Sequence, residues 1–283
     1  MRHRLYFVLA AFLFLAGCKE TDVTPEPSVY TPVSGHVALG NPSGATAEIS
    51  DYNNFLMVKP QYVLSYSRDR GTPNWVSWHL SRDWTGSAPR QDDFRADMTL
   101  PAGWFRVGAS AYTGSGFDRG HNIPSADRTR TVEDNSATFL MTNMIPQAPN
   151  HNRNTWANLE DYTRDLIDAG MEAYVIMGSY GIGGVGSSGA ANTIDNGRVT
   201  VPKSIWKVIV VLPEGNDDIS RINANTRVIA VDIPNVNTVN SDWGTYRTTV
   251  DAIEQATGHD LLSALPDQIE NIIEARTDNG PTR

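Results

Sequence analysis

Three stretches in the second half of the chain set the strongest limit on its fold: EAYVIMGS (172–179), VTVPKSIWKVIVVLP (199–213) and TRVIAVDIP (226–234). Each is rich in β-branched and apolar residues and is bounded by turn formers, which reads as a strand rather than a helix. Upstream, Asn54 to Ser67 and Asn74 to Leu80 have the same character, with Trp75, Ser77 and His79 alternating against Val76, Trp78 and Leu80. The turn-prone DRGTP, Asp69 to Pro73, joins them. TFLMTNM, Thr138 to Met144, reads as a further short strand closed by Pro146. Helical spacing is found in two places. Trp156, Leu159, Thr163, Leu166 and Ile167 predict a helix that Asn154 or Thr155 caps and Gly170 ends, and Trp243 to Thr257 predict another ending at Gly258. Strands and helices do not alternate as βαβ units, so the pattern predicts an α+β domain with a mixed, largely antiparallel central sheet flanked by helices.

The N-terminus has a different character. Arg2 and Arg4 precede an apolar run of about 12 residues from Leu5 to Ala16, too short for the roughly 20 that a spanning helix needs. Residues 1–17 therefore read as an export signal. Ala16 and Gly17 followed directly by Cys18 resemble the lipobox of bacterial lipoproteins, which implies a lipidated Cys18, membrane anchoring, and an outer-membrane or cell-surface location; an ordinary cleaved signal is the alternative. Cys18 is the only cysteine, so no internal disulfide can form. From Lys19 to about Ala47 the chain is rich in Thr, Pro, Ser and Gly, which predicts a tether over 18–47 and a domain over 48–283.

The formal net charge is -9, and loss of the two arginines of the signal leaves 21 basic against 32 acidic residues, or -11. Such a chain lacks the overall basic footprint of an extended nucleic-acid binder. Any phosphate chemistry must rest on a local cluster of arginines, with or without a metal ion. Gly181-Ile-Gly183-Gly184-Val-Gly186 satisfies a dinucleotide-loop spacing, but SSGAANTIDNG follows where a helix should open, so it reads as a loop.

The local cluster is FDRGHNIPSADRT, Phe117 to Thr129. Read with Thr138-Phe139, Asn143-Met144-Ile145-Pro146-Gln147, Asn152, Trp156, Leu159-Glu160 and Arg164, its Asp118-Arg119-Gly120-His121 resembles the DNA/RNA non-specific endonucleases, the ββα-metal nucleases. The resemblance extends upstream through Tyr62, Arg68 to Trp75, Trp78 and Arg90, and downstream through Val201-Pro202, Trp206-Lys207 and the region from Ile253-Glu254 to Leu265-Pro266. It implies a ββα-metal active-site motif and a magnesium-dependent hydrolase (manganese or another divalent ion being possible) that cleaves DNA and RNA to 5'-phosphate and 3'-hydroxyl ends.

Phosphodiester hydrolysis needs a nucleophile made from water, positive charge on the non-bridging oxygens and help for the departing alkoxide. Histidine accepts a proton near neutral pH, which makes His121 the candidate general base. Arg119 can donate to phosphate oxygens, while Asp118, Gly120 and Pro124 read as the geometry that presents these two side chains. The resemblance makes Asn152 the metal ligand; Asn150 and Asn154 flank it, and counting from Pro146-Gln147 and from Trp156 selects Asn152. It makes Glu160 an acceptor for metal-bound waters, oriented by Arg164 at i+4, where spacing alone reads as a surface ion pair. Arg90 matches the upstream phosphate-binding arginine, with Arg95 nearby as the alternative. Asp127, Arg128 and Arg130 have no assigned role. His151 reads as solvent-facing or capping, His36 as part of the tether, and His79 and His259 as unconnected with chemistry.

Two other readings fit the same residues: a surface lipoprotein that binds nucleic acid or a partner without catalysis, and a phosphodiesterase acting on a small or lipid-linked phosphate. The first predicts a damaged site, and both the histidine and the asparagine are intact.

Overall fold

The computed structural model describes residues 35–283. The signal, Cys18 and most of the expected tether lie outside the described residues. No helix among the described residues is long and apolar enough to cross a membrane.

The frame is one antiparallel sheet. Its strands are β1 (Phe55–Val58), β2 (Val63–Ser67), β3 (Thr72–Leu80), β6 (Met171–Tyr180), β7 (Ser204–Pro213), β8 (Arg227–Pro234) and β9 (Arg247–Thr248), paired in that order. A separate two-stranded ribbon pairs β4 (Asp118–His121) with β5 (Met144–Gln147). The helices of six or more residues are α1 (Val132–Ala137), α2 (Ala157–Asp168), α3 (Val250–Thr257) and α4 (Asp267–Glu274). The α+β class is as predicted, and every neighbouring pair within the large sheet is antiparallel.

Both faces of the sheet are covered, and the strands show it by period-two alternation. Along β7, Ile205, Ile209 and Val211 join a core with Trp156 and Leu159 at α2 and with Ile123 and Ile145 beside the ribbon. Trp206, Val208, Val210 and Leu212 join a second core with Val250 and Ile253 of α3, Ile273 of α4 and Leu261, Leu262 and Leu265 between them. Lys207 is the exception in this alternation: it points to the α2 side, where an apolar residue would be expected, and is fully buried.

Four local expectations change. Residues 35–47, placed in the tether by composition, pack on the domain: Leu39 and Ala45 are buried in the second core, and His36 is buried with Nε2 2.9 Å from the Pro60 carbonyl. The predicted strand at Thr138–Met144 is a turn followed by β5, which begins only at Met144. Asn143 explains this, because its side chain accepts from the Ile123 N–H and donates to the carbonyls of Ile123 and Thr138, folding the segment back on itself. Pro146 therefore lies within β5 instead of closing a strand, which a two-stranded ribbon tolerates because one side of each strand makes no ladder bonds. Finally, Trp243 to Thr257 is a short turn of 3-10 helix, then β9, then α3, which ends as expected at a left-handed Gly258.

Candidate active site

The ribbon and α2 form a continuous ββα unit. Its second strand runs into a π-helical turn, His151–Trp156, which precedes α2. The helical segment thus begins earlier than Asn154 or Thr155, and no side chain of its own caps it. Its first donors are taken up from the segment after β8: Asn235 Oδ1 accepts from the Ala148 N–H, Asn237 Oδ1 accepts from the Asn150 N–H, and Thr155 donates to the Asn240 carbonyl. Asn235 is fully buried and also donates to the carbonyls of Pro146 and Pro202. This residue ties β5, the helix start and the main sheet together. A π turn widens the helix locally and is a frequent feature of functional sites; here it carries Asn152.

Gly120 lets β4 lie close against β5. A Cβ at that position would stand 2.3 Å from Oε1 and 2.7 Å from Cβ of Gln147, so the residue is glycine because of close approach. The expected role, a tight strand end, is replaced by this packing constraint. On either side of Gly120, the two ends of the strand present Asp118-Arg119 and His121.

An open cleft of about 330 Å³ collects Arg90, Arg119, Asn152, Asp118 and Arg153. Two aromatic rings support its arginines. Arg119 lies over the Phe94 ring at 4.0 Å and Arg90 over the Phe139 ring at 4.9 Å, a cation–π arrangement that holds both guanidinium groups in place. Arg90 also donates to Ser125 Oγ at 2.7 Å. The His121 ring sits edge-on to both aromatics, 5.5 Å from Phe94 and 5.0 Å from Phe139. Its Nε2 is shielded and has no hydrogen-bond partner among the described residues. Burial, then the nearby Arg90 and Arg119, push the imidazole down to about 3.

The opposite wall holds Asp118, Asn152 and Arg153. Asp118 Oδ2 accepts from Asn152 Nδ2 at 2.9 Å and from Arg153 Nε at 2.8 Å, while Oδ1 accepts from Arg153 NH2 at 2.6 Å. Asn152 is thereby held by its nitrogen, leaving its carbonyl oxygen as a ligand atom. A neutral amide oxygen beside open solvent suits a hard divalent ion that keeps most of its waters. On this observation the residues fit a magnesium-class ion.

Arg95 is elsewhere. It pairs with Asp93 and donates to the Ser136 carbonyl, lining a separate cavity with Lys59 and Thr99. Of the two upstream arginines, only Arg90 reaches the cleft.

Glu160 and Arg164 do not form the expected i+4 pair. Arg164 bonds Asp127 at 2.9 Å and Asp161, while the cation facing Glu160 is Lys207, 3.5 Å away. Neither Glu160 nor Arg164 lines the cleft. They belong to a shielded ion cluster with Asp127 and Lys207, in which burial raises the Glu160 carboxyl and lowers the Lys207 ammonium. The cluster connects to the cleft through the turn that carries both Ser125 and Asp127. Lys207 also stands over the Trp156 ring at 4.5 Å.

His151 is fully buried, its ring against Trp156, which replaces the expected solvent-facing position. Burial and Lys207 push it down to about 3. The unassigned Arg128 is structural: it is buried and donates to the carbonyls of Gln61, His79 and Asp127.

The family model for DNA/RNA non-specific endonucleases matches residues 43–268. The chain belongs to this family. A nuclease from Nostoc is 50% identical over 274 residues, covering 96% of this chain and 97% of that one. A nuclease from Serratia marcescens is 27% identical over 246 residues, 84% of each chain. Among solved structures, one described as the EndoG/EndoGI complex superimposes with a TM-score of 0.67 at 23% identity, covering 86% of this chain and 96% of that one. The ββα unit and the antiparallel sheet are thus the shared fold.

Membership of the family does not make every residue of the cleft legible. Phe94, Ser125, Arg153, Asn235 and Asn237 are outside the residues that carry the resemblance, and each acts across a long sequence separation.

Proposed function

We propose that the chain is a metal-dependent endonuclease that hydrolyses phosphodiester bonds of DNA and RNA with little sequence preference, leaving 5'-phosphate and 3'-hydroxyl ends. The observation that carries this reading is the convergence of Arg90, Arg119 and Asn152 on one cleft, with His121 packed edge-on against the same two aromatic rings that carry the arginines.

Arg90 and Arg119 bind the non-bridging oxygens of the scissile phosphate, and their stacking on Phe139 and Phe94 limits the reorganisation needed to do so. His121, neutral at physiological pH, accepts the proton of the attacking water. Asn152 would hold a magnesium-class ion through its amide oxygen, with Asp118 fixing the amide. Such an ion, when bound, supplies Lewis-acid polarisation of the phosphate and stabilises the leaving 3'-oxygen. Glu160, whose charge is balanced by Lys207 behind the cleft, would reach such an ion only through intervening waters, and Arg164 supports the arrangement through Asp127. The sign of the cleft is local, which reconciles phosphate binding with the net charge of -9.

Exported localisation belongs to the same proposal and rests on the sequence alone: a signal over 1–17 and lipidation of Cys18 would place the domain at a membrane face, outer membrane or cell surface. Plasmid and RNA degradation by the purified protein, with chelator and then magnesium or manganese add-back, tests the activity. A His121→Ala protein that still degrades plasmid at the wild-type rate would refute the mechanism.

A further inference from the structure

On the face of the sheet opposite the ββα unit, α3 and α4 bring carboxylates together. Asp251 and Glu254 lie at i and i+3 on α3, and Glu274 is the last residue of α4. One oxygen from each lies within 4.8 Å of the others. Oxygens that share one calcium ion at about 2.3–2.6 Å stand no more than about 5 Å apart, so the three are already within reach of a common ion.

The second observation is Glu274 itself. Its residue is only 6% exposed, and its Oε1 is shielded without any hydrogen-bond partner among the described residues. A buried unpaired carboxylate is among the costliest groups a fold can carry. Burial first, then the carboxylates Glu254, Glu270, Asp251 and Asp260, push its carboxyl up to about 8. Its place at the carboxyl end of a helix adds the negative pole of the helix dipole. Glu254 is fixed in direction, because its Oε1 accepts from the Leu261 N–H at 2.7 Å, leaving the second oxygen for another partner.

We propose that Asp251, Glu254 and Glu274 form a second divalent-cation site, of the hard, oxygen-ligating class that takes calcium, which clamps α3 to α4. A proton on Glu274 would relieve that one side chain and leave the other carboxylates repelling each other. A divalent cation relieves all three. The site differs in chemistry from the cleft, where a neutral amide is the proposed protein ligand, and Glu274 lies beyond the residues 43–268 that match the family model.

Titration calorimetry with calcium chloride tests this in an Asn152→Ala background, which on the proposed mechanism silences the cleft. The parent is compared with the same protein carrying Glu254→Gln and Glu274→Gln. The expected result is one calcium bound by the parent with a Kd of about 10⁻⁴ to 10⁻³ M, the range of exposed extracellular carboxylate sites, weakened more than about tenfold by the two substitutions. Because the comparison is between proteins that differ only in α3 and α4, it reads this site even if Asn152 holds no metal. The same two substitutions in the otherwise wild-type chain should leave magnesium-supported plasmid cleavage unchanged. Equal calcium binding by both proteins, or no calcium binding by the parent at 10 mM (about ten times the weaker expected Kd), would overturn the proposal. A parent that ignores calcium but gains stability from Glu274→Gln would identify a protonated carboxyl in place of a cation site.

Discussion

Asn152 Nδ2 donates to Asp118 Oδ2 at 2.9 Å, so the first residue of β4 sets the direction of an amide on the π turn before α2. The same carboxylate holds Arg153 through both of its oxygens. The DRGH strand therefore contributes to the site at both ends: Asp118 orients the proposed metal ligand, and His121 is the proposed base.

This relationship predicts the behaviour of Asp118→Ala. With its amide released, Asn152 can turn its nitrogen toward the ion, and loss of a group that orients a metal ligand typically costs about 10–100-fold in affinity or activity. The expected outcome is a raised magnesium requirement, with cleavage partly recovered at high magnesium. A magnesium dependence identical to wild type would show that the amide is oriented without Asp118.

Arg90 and Arg95 should separate cleanly. Arg90 reaches the cleft and Arg95 lines another cavity. Arg90→Ala is expected to lower kcat/KM on DNA by at least about tenfold, the worth of one charge-assisted contact to phosphate. Arg95→Ala is expected to stay within about twofold of wild type, since its partners are an exposed aspartate and a carbonyl. Steady-state kinetics on a short duplex decides it, and the reverse ranking would reassign the upstream arginine.

Gly120→Ala tests the packing of the ribbon. The added methyl meets Gln147 at distances that real Cβ atoms do not adopt, so β4 must move away from β5. Overpacking of this kind costs about 1–3 kcal/mol, and the displaced strand carries both Asp118 and His121. Urea unfolding should show the loss of stability, and activity should fall with it. Adding Gln147→Gly should recover part of both.

Much of this molecule was legible in its sequence, for identifiable reasons. The strands around Trp78, Val175, Val208 and Ile229 announced themselves because burial on both sheet faces demands apolar β-branched runs. Arg119 and Asn152 stood in the motif that carries the resemblance, and the fold gathers both at one cleft. The segment 138–144 misled because Phe139, Leu140 and Met141 are as apolar as a strand, while the side chain of Asn143 bonds the backbone and turns the chain. His36 and the residues after it were hidden because a polar, proline-containing segment can pack when its few apolar side chains, such as Leu39, find a groove. Arg164 was read as the partner of Glu160 because helical spacing places them together. The actual partners, Asp127 and Lys207, come from other elements, and long-range ion pairs leave no periodic trace.

The buried pair predicts a compensating double substitution. Lys207 is 2% exposed and Glu160 15%, and removal of one partner from such a pair costs about 3–5 kcal/mol because the other charge is stranded. Lys207→Met should therefore destabilise the domain strongly. Lys207→Met with Glu160→Gln should recover a large part of the loss in chemical denaturation while remaining poorly active. If the double variant is no more stable than Lys207→Met, the damage lies in packing against Trp156 and not in charge.

The last prediction concerns acid. His121 is pushed from 6.5 to about 3, first by burial and then by Arg90 and Arg119. A histidine with a folded value below its unfolded one stabilises the fold fully above 6.5, and that contribution is lost as pH falls toward 3, because only the unfolded chain then takes up the proton. The slope is about 1.4 kcal/mol per pH unit for one proton. His36, His151 and His259, pushed down to about 4, 3 and 4, add slopes of the same sign and are present in any His121 variant. Comparison of wild type with His121→Asn by urea unfolding isolates the one residue: the stability difference, wild type minus variant, should fall by about 1.4 kcal/mol for each unit between pH 6 and pH 4. The acid limb of kcat/KM should correspondingly lie below 6.5, since the free enzyme keeps this base neutral there. A stability difference that is constant with pH, together with a limb at 6.5, would mean that His121 titrates as a solvent-exposed imidazole and that the aromatic frame of Phe94 and Phe139 does not shield it.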